Sequence, residues 1–268
     1  MSNRLRVSVS LWLVSSMLGA PAMPSAAQRA PTPDPINLPP EVLSLACAPT
    51  LTFEEPATPV RVTGSQNSSI HQNFAPGDLI TINAGTDNGI EVGQLYYTRR
   101  LVPRERQRSI GRDNPATIQT TGWLRIYAVD NQMSLATISY PCDAIHLYDY
   151  LEPFVLPTLP TVSTERVSPQ RGNYGRVMVG NDNRRSFAKG DYFVVDRGSD
   201  HGVTPGSRFM IYRDNLTWGN FLFELGEAVA VDVGPESSTL QATMSRDAFL
   251  VGDYVALMTV EEALRTPR

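Results

Sequence analysis

The residues in this 268-residue chain whose types could do chemistry are few and far apart. The histidines are His71, His146 and His201, and none has another His or Cys at metal-ligand spacing, so no zinc site is expected. Ser199-Asp200-His201 strings together a hydroxyl, a carboxylate and an imidazole. Adjacent residues of one turn point in different directions, however, and cannot relay a proton as a triad does. Asp78, Asn83, Asp87 and Glu91 supply oxygens but lack the alternating acids and the sixth-position glycine of a calcium loop. No glycine-rich turn leads into a helix, the arrangement that cradles phosphate. The expectation is a protein that is not an enzyme and holds no cofactor and no metal.

What remains is the chemistry of cross-linking and of surfaces. Cys47 and Cys142 are the only cysteines, and an even count in an exported chain points to a disulfide. It would close a loop of roughly a hundred residues, worth up to about 4–5 kcal/mol in the chain-entropy description; the alternative is two separate thiols. Arg99, Arg100, Arg104, Arg106, Arg108 and Arg112 crowd one connection. They read either as a solvated hairpin loop or as a docking arm for an acidic protein surface, an anionic glycan or a lipid headgroup. Among the aromatics near the hairpins, Tyr96, Tyr97, Trp123, Tyr127 and Tyr212 are expected to pack across strands. Trp218 and Phe221, in the loop 215–223, are the candidates for an exposed partner-binding or glycan-stacking surface.

Composition narrows the classes further. A formal net charge of −4 lacks the basic footprint of a nucleic-acid binder, and a 41% hydrophobic share is ample for ordinary cores. Residues 1–27 read as an export signal: Arg4 and Arg6, then the apolar run Val7–Leu18, then Ser25-Ala26-Ala27 for cleavage. That run falls short of the about 20 residues needed to span a bilayer, and no later segment is a transmembrane candidate. Proline-rich stretches at 28–59 and 153–172 read as an extended tether and a linker, because proline removes backbone donors and fixes φ; a short helix after Pro39-Pro40 is the exception allowed.

The elements that must position all of this come in duplicate. Phe74–Arg100 and Phe187–Arg213 align without a gap, sharing Phe-Ala-x-Gly-Asp, a Gly-x-Asp-x-Gly turn, a later Gly and a closing Arg. Short β-rich runs follow each copy: Trp123–Val129 and Leu135–Ser139 after the first, Glu227–Val233 and Thr239–Met244 after the second. Self-similarity over this span predicts two tandem units, and strand runs punctuated by turns predict an all-β fold of two small antiparallel barrels or sandwiches. The units are placed at 60–152 and 173–258, with a tail at 259–268. Cys142 is read as following two residues, Tyr140 and Pro141, that the second unit lacks.

The recurring residues need no ligand to explain them. Gly85, Asp87, Gly89 and Gly93, matched by Gly198, Asp200, Gly202 and Gly206, are turn residues. Asp is expected to cap the turn, Asn88 and His201 to tolerate left-handed backbone, and Gly to supply positive φ. Asp78 and Asp191 are expected to accept backbone hydrogen bonds at the strand entrance, and Ile90 and Val203 to plug each turn into a core.

Gly190-Asp191, Gly198, Gly202-Val203, Gly206, Phe209-Met210-Ile211-Tyr212-Arg213, Gly226-Glu227 and Gly252-Asp253 together follow a recognisable pattern. In it the chain resembles a β-domain of bacterial cell-envelope proteins, the family of the C-terminal domain of flagellar assembly protein T, a periplasmic ring component; exported proteins with LysM modules carry it too. The resemblance covers about residues 60–258. The first unit departs at Ile90, at Tyr96-Tyr97-Thr98-Arg99, at Trp123 in place of Glu, and at Tyr148 in place of the Gly before Asp149. What it implies is a bacterial, periplasmic, non-enzymatic scaffold, assembly or adaptor protein that contacts envelope proteins, with outer-membrane association left open. The alternative is a module that binds peptidoglycan or another polysaccharide. Function is expected where the two copies differ.

Overall fold

Ile80 and Ile82 are wholly removed from solvent, while Leu79 and Thr81 beside them are half-buried. This period of two is that of a strand with one face on a core, and it recurs along the chain. The structure is a computed structural model that describes residues 38–54, 56–57, 60–66, 72–102, 115–162, 167–180, 184–214 and 221–260. The export signal expected at 1–27 and residues 261–268 of the expected tail lie outside the described residues.

The first part of the chain contributes helix α1 (Pro40–Ala46) and strands β1 (Thr50–Thr52), β2 (Val62–Ser65), β3 (Asn73–Phe74), β4 (Leu79–Ile82), β5 (Leu95–Val102), β6 (Ala116–Val129), β7 (Ser134–Pro141), β8 (Ile145–His146) and β9 (Tyr150–Pro153). The second contributes β10 (Val167–Gly180), β11 (Ser186–Phe187), β12 (Tyr192–Val195), β13 (Arg208–Asp214), β14 (Leu222–Val233), β15 (Ser238–Ser245), β16 (Phe249–Leu250) and β17 (Tyr254–Val260). The fold is all-β with two antiparallel domains. In the second, β10-β12-β15-β14-β13-β17 closes into a barrel. In the first, β2-β4-β7-β6-β5-β9 has the same order, and a bridge between Arg61 and Tyr150 joins its ends. Closure removes the free edges on which an open sheet would pair with other chains. Each barrel is filled by its own side chains, around Ile80, Ile82, Leu124 and Ile126 in one and Phe193, Phe209, Ile211 and Phe249 in the other.

The duplication extends to the irregularities. Gly122 pairs with Pro141 and Trp123 with Tyr140 before a bulge; Gly226 pairs with Ser245 and Glu227 with Met244 before the same bulge. Tyr140 and Pro141 therefore match Met244 and Ser245, and the two-residue insertion expected before Cys142 does not exist. β7 and β15 each have 8 residues.

The stretch expected as an extended tether is, where described, a strap built between the barrels. Pro40 opens α1 at a position where a missing N–H costs nothing. With only 7 residues such a helix cannot stand alone in water, so packing must hold it. Ala46 lies against Tyr97 and Trp123 of barrel one, while Leu45 and Ala48 lie against Tyr192 and Val231 of barrel two. β1 then pairs antiparallel with β6, and the Thr239 hydroxyl of barrel two donates to the Pro49 carbonyl over 2.9 Å. Cys47 is disulfide-bonded to Cys142, which fixes the end of α1 to the strand end after β7.

The second proline-rich stretch is docked as well. Phe154 packs on Tyr97 and Trp123 with ring centroids 4.6 and 5.3 Å away, and the Tyr97 hydroxyl donates to the Val155 carbonyl over 2.9 Å. β10 starts at Val167, inside the expected linker, and β17 runs on through Thr259 and Val260, into the expected tail. Strap and linker thus make both barrels parts of a single compact unit.

Candidate functional site

The turn residues sit where their chemistry requires. Gly89 and Gly202 have φ of 76° and 81°, the left-handed region that a side chain disfavours. Gly85 and Gly198 are needed for close approach: a Cβ there would collide with the carbonyls of Asp130 and Gly234. Those carbonyls accept from the next amides, Thr86 and Ser199, at 3.0 and 2.9 Å. Gly93 and Gly206, also at positive φ, donate to Ile126 and Ala230 across the barrel at 2.9 and 2.8 Å. The capping differs from expectation. The exposed Asp87 and Asp200 do not cap; Asn88 Oδ1 accepts from Gly85 N and His201 Nδ1 from Gly198 N, each at 3.3 Å. Asn and imidazole are interchangeable here because each offers an acceptor at the same reach. Asp78 and Asp191 accept from the amides of Ala75 and Ala188 at 2.9 and 2.8 Å, and Ile90 and Val203 are buried.

His201 is thus engaged with its own turn, and His146 lies on β8 in the other barrel. Among the described residues no three His, Cys, Asp or Glu side chains converge as metal ligands would, and no helix is long and apolar enough to cross a membrane.

The arginine cluster divides. Arg100 grips Asp149 with two prongs, Nε to Oδ1 and Nη2 to Oδ2 at 2.8 Å each, and Nη2 also donates to the Ala144 carbonyl at 2.9 Å. This is an internal brace. Arg99 lies on the outer face of β5 beside Glu152. Arg104, Arg106, Arg108 and Arg112 lie outside the described residues, as do His71 and Trp218. Phe221 is 66% exposed and Phe223, two residues on along β14, is 48% exposed, so an apolar face is presented beside the tip of the β13–β14 hairpin. Tyr97 and Trp123, by contrast, are buried beneath the strap and Phe154.

Two clefts of about 440 Å³ each stand out. One runs between the barrels, walled by Leu45 and Ala48 of the strap, Val155 and Leu156 of the linker, and Val231 and Asp232 of barrel two. The other belongs to barrel one alone, around Arg61, Arg99, His146, Tyr148 and Tyr150. Its floor is a row of directly opposed residues: Arg61, just before β2, bridges Tyr150 of β9, and Tyr150 pairs with Arg99 of β5. Tyr150 is 3% exposed, and its buried hydroxyl lies beside the Glu152 carboxylate. Burial, then the nearby Glu152 carboxylate, pushes this phenol well above tyrosine's ordinary pKa, against the opposing pull of Arg99 and Arg61, so it stays a donor. Arg99 is held by an ion pair with Glu152, Nε to Oε2 at 3.0 Å, and its guanidinium lies 4.8 Å over the Tyr97 ring. At the rim Tyr148 is 69% exposed with φ of 71°, the only side-chain-bearing residue at positive φ among those described. Arg61 falls outside the motifs that draw attention in the sequence, whereas Tyr148 is visible there as a departure, standing where the other copy has Gly252.

No protein-family model matches this chain, and none of the curated proteins matches it.

Proposed function

We propose that this is a non-enzymatic protein of the bacterial periplasm, exported by its N-terminal segment, that acts as a scaffold or adaptor by contacting other envelope proteins. The observation that carries the reading is the strap. Packing on both barrels and tied down by Cys47–Cys142, it makes a single body of two domains, and a disulfide suits an oxidising compartment. A body of this kind holds two surfaces at a fixed spacing, which is what an adaptor must do. One surface is the end of β14 that carries the exposed Phe221 and Phe223; the other is assigned from sequence to the arginine-rich connection that follows β5. An apolar aromatic end and a cationic end can each select a different partner.

The test is affinity capture from native envelope, using the exported chain beside two variants, Phe221→Ala and the charge reversal of Arg104, Arg106 and Arg108 to Glu. The expected result is a recurrent protein partner lost from one or both variants. Capture that survives both substitutions, or enrichment of peptidoglycan with no protein, would refute the reading.

A further inference from the structure

We propose that β14 binds a partner by strand addition: an extended, uncharged segment of another protein, rich in apolar and β-branched residues, pairs antiparallel with its free edge along Phe221–Glu224. The inference rests on the scaffold reading and deepens it, naming how the end that carries Phe221 and Phe223 takes hold.

The first ground is what covers the same edge in barrel one. There β5 and β6 run on together past the wall. β7 pairs with β6 only as far as Gly122, and Cys142 N then donates to the Thr121 carbonyl over 2.9 Å. Beyond that point β1 takes the edge: Thr50, Leu51 and Thr52 pair antiparallel with Ile118, Thr117 and Ala116. A short extended segment arriving from elsewhere in the chain has been added to the sheet.

The second ground is that barrel two repeats this extension without the added strand. Gly226 matches Gly122, so Phe221, Leu222 and Phe223 are the twins of Thr117, Ile118 and Gln119. β15 pairs with β14 as far as Gly226, and Arg246 N donates to the Leu225 carbonyl over 2.7 Å, as Cys142 does in the other copy. One edge of the extension is held by β13, with Phe223 opposite Arg213 and Leu222 opposite Asp214. Among the described residues no strand pairs with the other edge beyond Leu225. Thr117, opposite Leu51, is 7% exposed; its twin Phe221 is 66% exposed. A vacant edge presents a row of N–H and C=O groups on which another chain can form a ladder.

The third ground is what the edge carries. Exposed edges are ordinarily blunted by lysine, proline or inward-pointing charge. From 221 to 225 the one charged residue is Glu224, and it lies 3.7 Å from Arg246. Where the covered copy has the polar Thr117 and Gln119, the open one has two phenylalanines. Two residues apart on one strand, they share a face of the sheet, and an apolar or β-branched cross-strand neighbour would cover them. Leu51, opposite the twin of Phe221, shows the kind of residue that fits.

The experiment uses the full exported chain, whose own β1 already occupies the edge in barrel one, and a capped, fluorescently labelled peptide of residues 48–53, APTLTF. Two further peptides carry N-methyl groups on alternate amides, one on odd and one on even residues, so that one of them blocks the ladder in either register. Fluorescence anisotropy should show saturable binding of the parent peptide with a Kd below about 1 mM. One methylated peptide should bind about tenfold more weakly, and Phe221→Ala, shown folded by its melting curve, should weaken the parent peptide about threefold to tenfold. Three results overturn the proposal: no saturable binding, both methylated peptides binding as tightly as the parent, or a dimer in sedimentation that Phe221→Ala dissociates, which would give the edge to a second copy. If no peptide binds while Phe221→Ala still loses its envelope partner, strand addition fails and the adaptor stands. Peptide binding with no envelope protein captured does the reverse.

Discussion

Arg213 and Asp253 face each other from β13 and the start of β17 in a two-pronged ion pair, Nε to Oδ1 at 2.9 Å and Nη2 to Oδ2 at 2.7 Å. The same arginine caps the Ala248 carbonyl at 2.7 Å, and the same aspartate accepts from Leu250 N at 2.6 Å. Arg100, Asp149, Ala144 and His146 N reproduce the set in barrel one. The brace ties the β11–β16 or β3–β8 flap to the barrel wall, and the hydrogen bonds that Arg213 donates to Asp253 raise the pKa of the guanidinium further. Because Asp253 is 6% exposed, Arg213→Ala leaves a nearly buried charge unpaired and should cost about 3 kcal/mol in urea unfolding. Arg213→Lys keeps the charge without the fork and should recover only part of it. An Ala variant as stable as the parent would remove the brace from the account.

The disulfide yields a second expectation. Cys47 and Cys142 are 95 residues apart in sequence, and replacing both by serine should lower stability by about 4 kcal/mol in the chain-entropy description. The strap should also loosen, so that Tyr192 and Trp123 gain solvent exposure, read by hydrogen exchange at the amides of β1 and α1. Intact mass of exported protein without reduction should show the bond; free thiols there would contradict it.

Tyr148 holds a left-handed backbone that the second copy gives to Gly252. Replacing it by glycine relieves a left-handed tyrosine at the cost of a more flexible unfolded chain, for a net gain of about 0.5–1 kcal/mol. The melting temperature should therefore rise. A glycine variant that melts below the parent would contradict the strain argument.

Alkaline pH should unfold the protein. Burial raises the pKa of the Tyr97, Tyr150, Tyr192 and Tyr212 phenols above the ordinary 10.0. Below about pH 10 both folded and unfolded states are protonated and stability is undiminished; above it the unfolded state sheds protons first and stability falls. Titration at 295 nm should show these phenols ionising together with loss of the β signal in circular dichroism. Ionisation of all ten tyrosines near pH 10 with the fold intact would contradict their burial.

The turns and strands were legible because their chemistry is local. Gly89 needs its left-handed φ whatever surrounds it, and the alternation at Leu79–Ile82 states which face is inward. The strap was not legible. A seven-residue helix opened by prolines has no stability of its own, and its apolar face acquires meaning only against Trp123 and Tyr192, far away in sequence. The arginines misled for a related reason: Arg99 and Arg100 read as one charged run, yet on a strand they point to opposite sides, one to the cleft and one to Asp149. Trp123 in place of Glu227 was visible as a departure between the copies. That it marks the seat of the strap, where barrel two has an Arg208–Glu227 ion pair at 2.6 Å instead, required the fold.

The measurement that tests the functional account most directly is photocrosslinking in the native envelope from an unnatural residue at position 221, with the exposed Gln132 on another hairpin as control site. An adaptor that docks by the β13–β14 hairpin should give one or a few discrete protein adducts from position 221 and none from 132. Equal, diffuse labelling from both positions, or no protein adduct from 221, would contradict it.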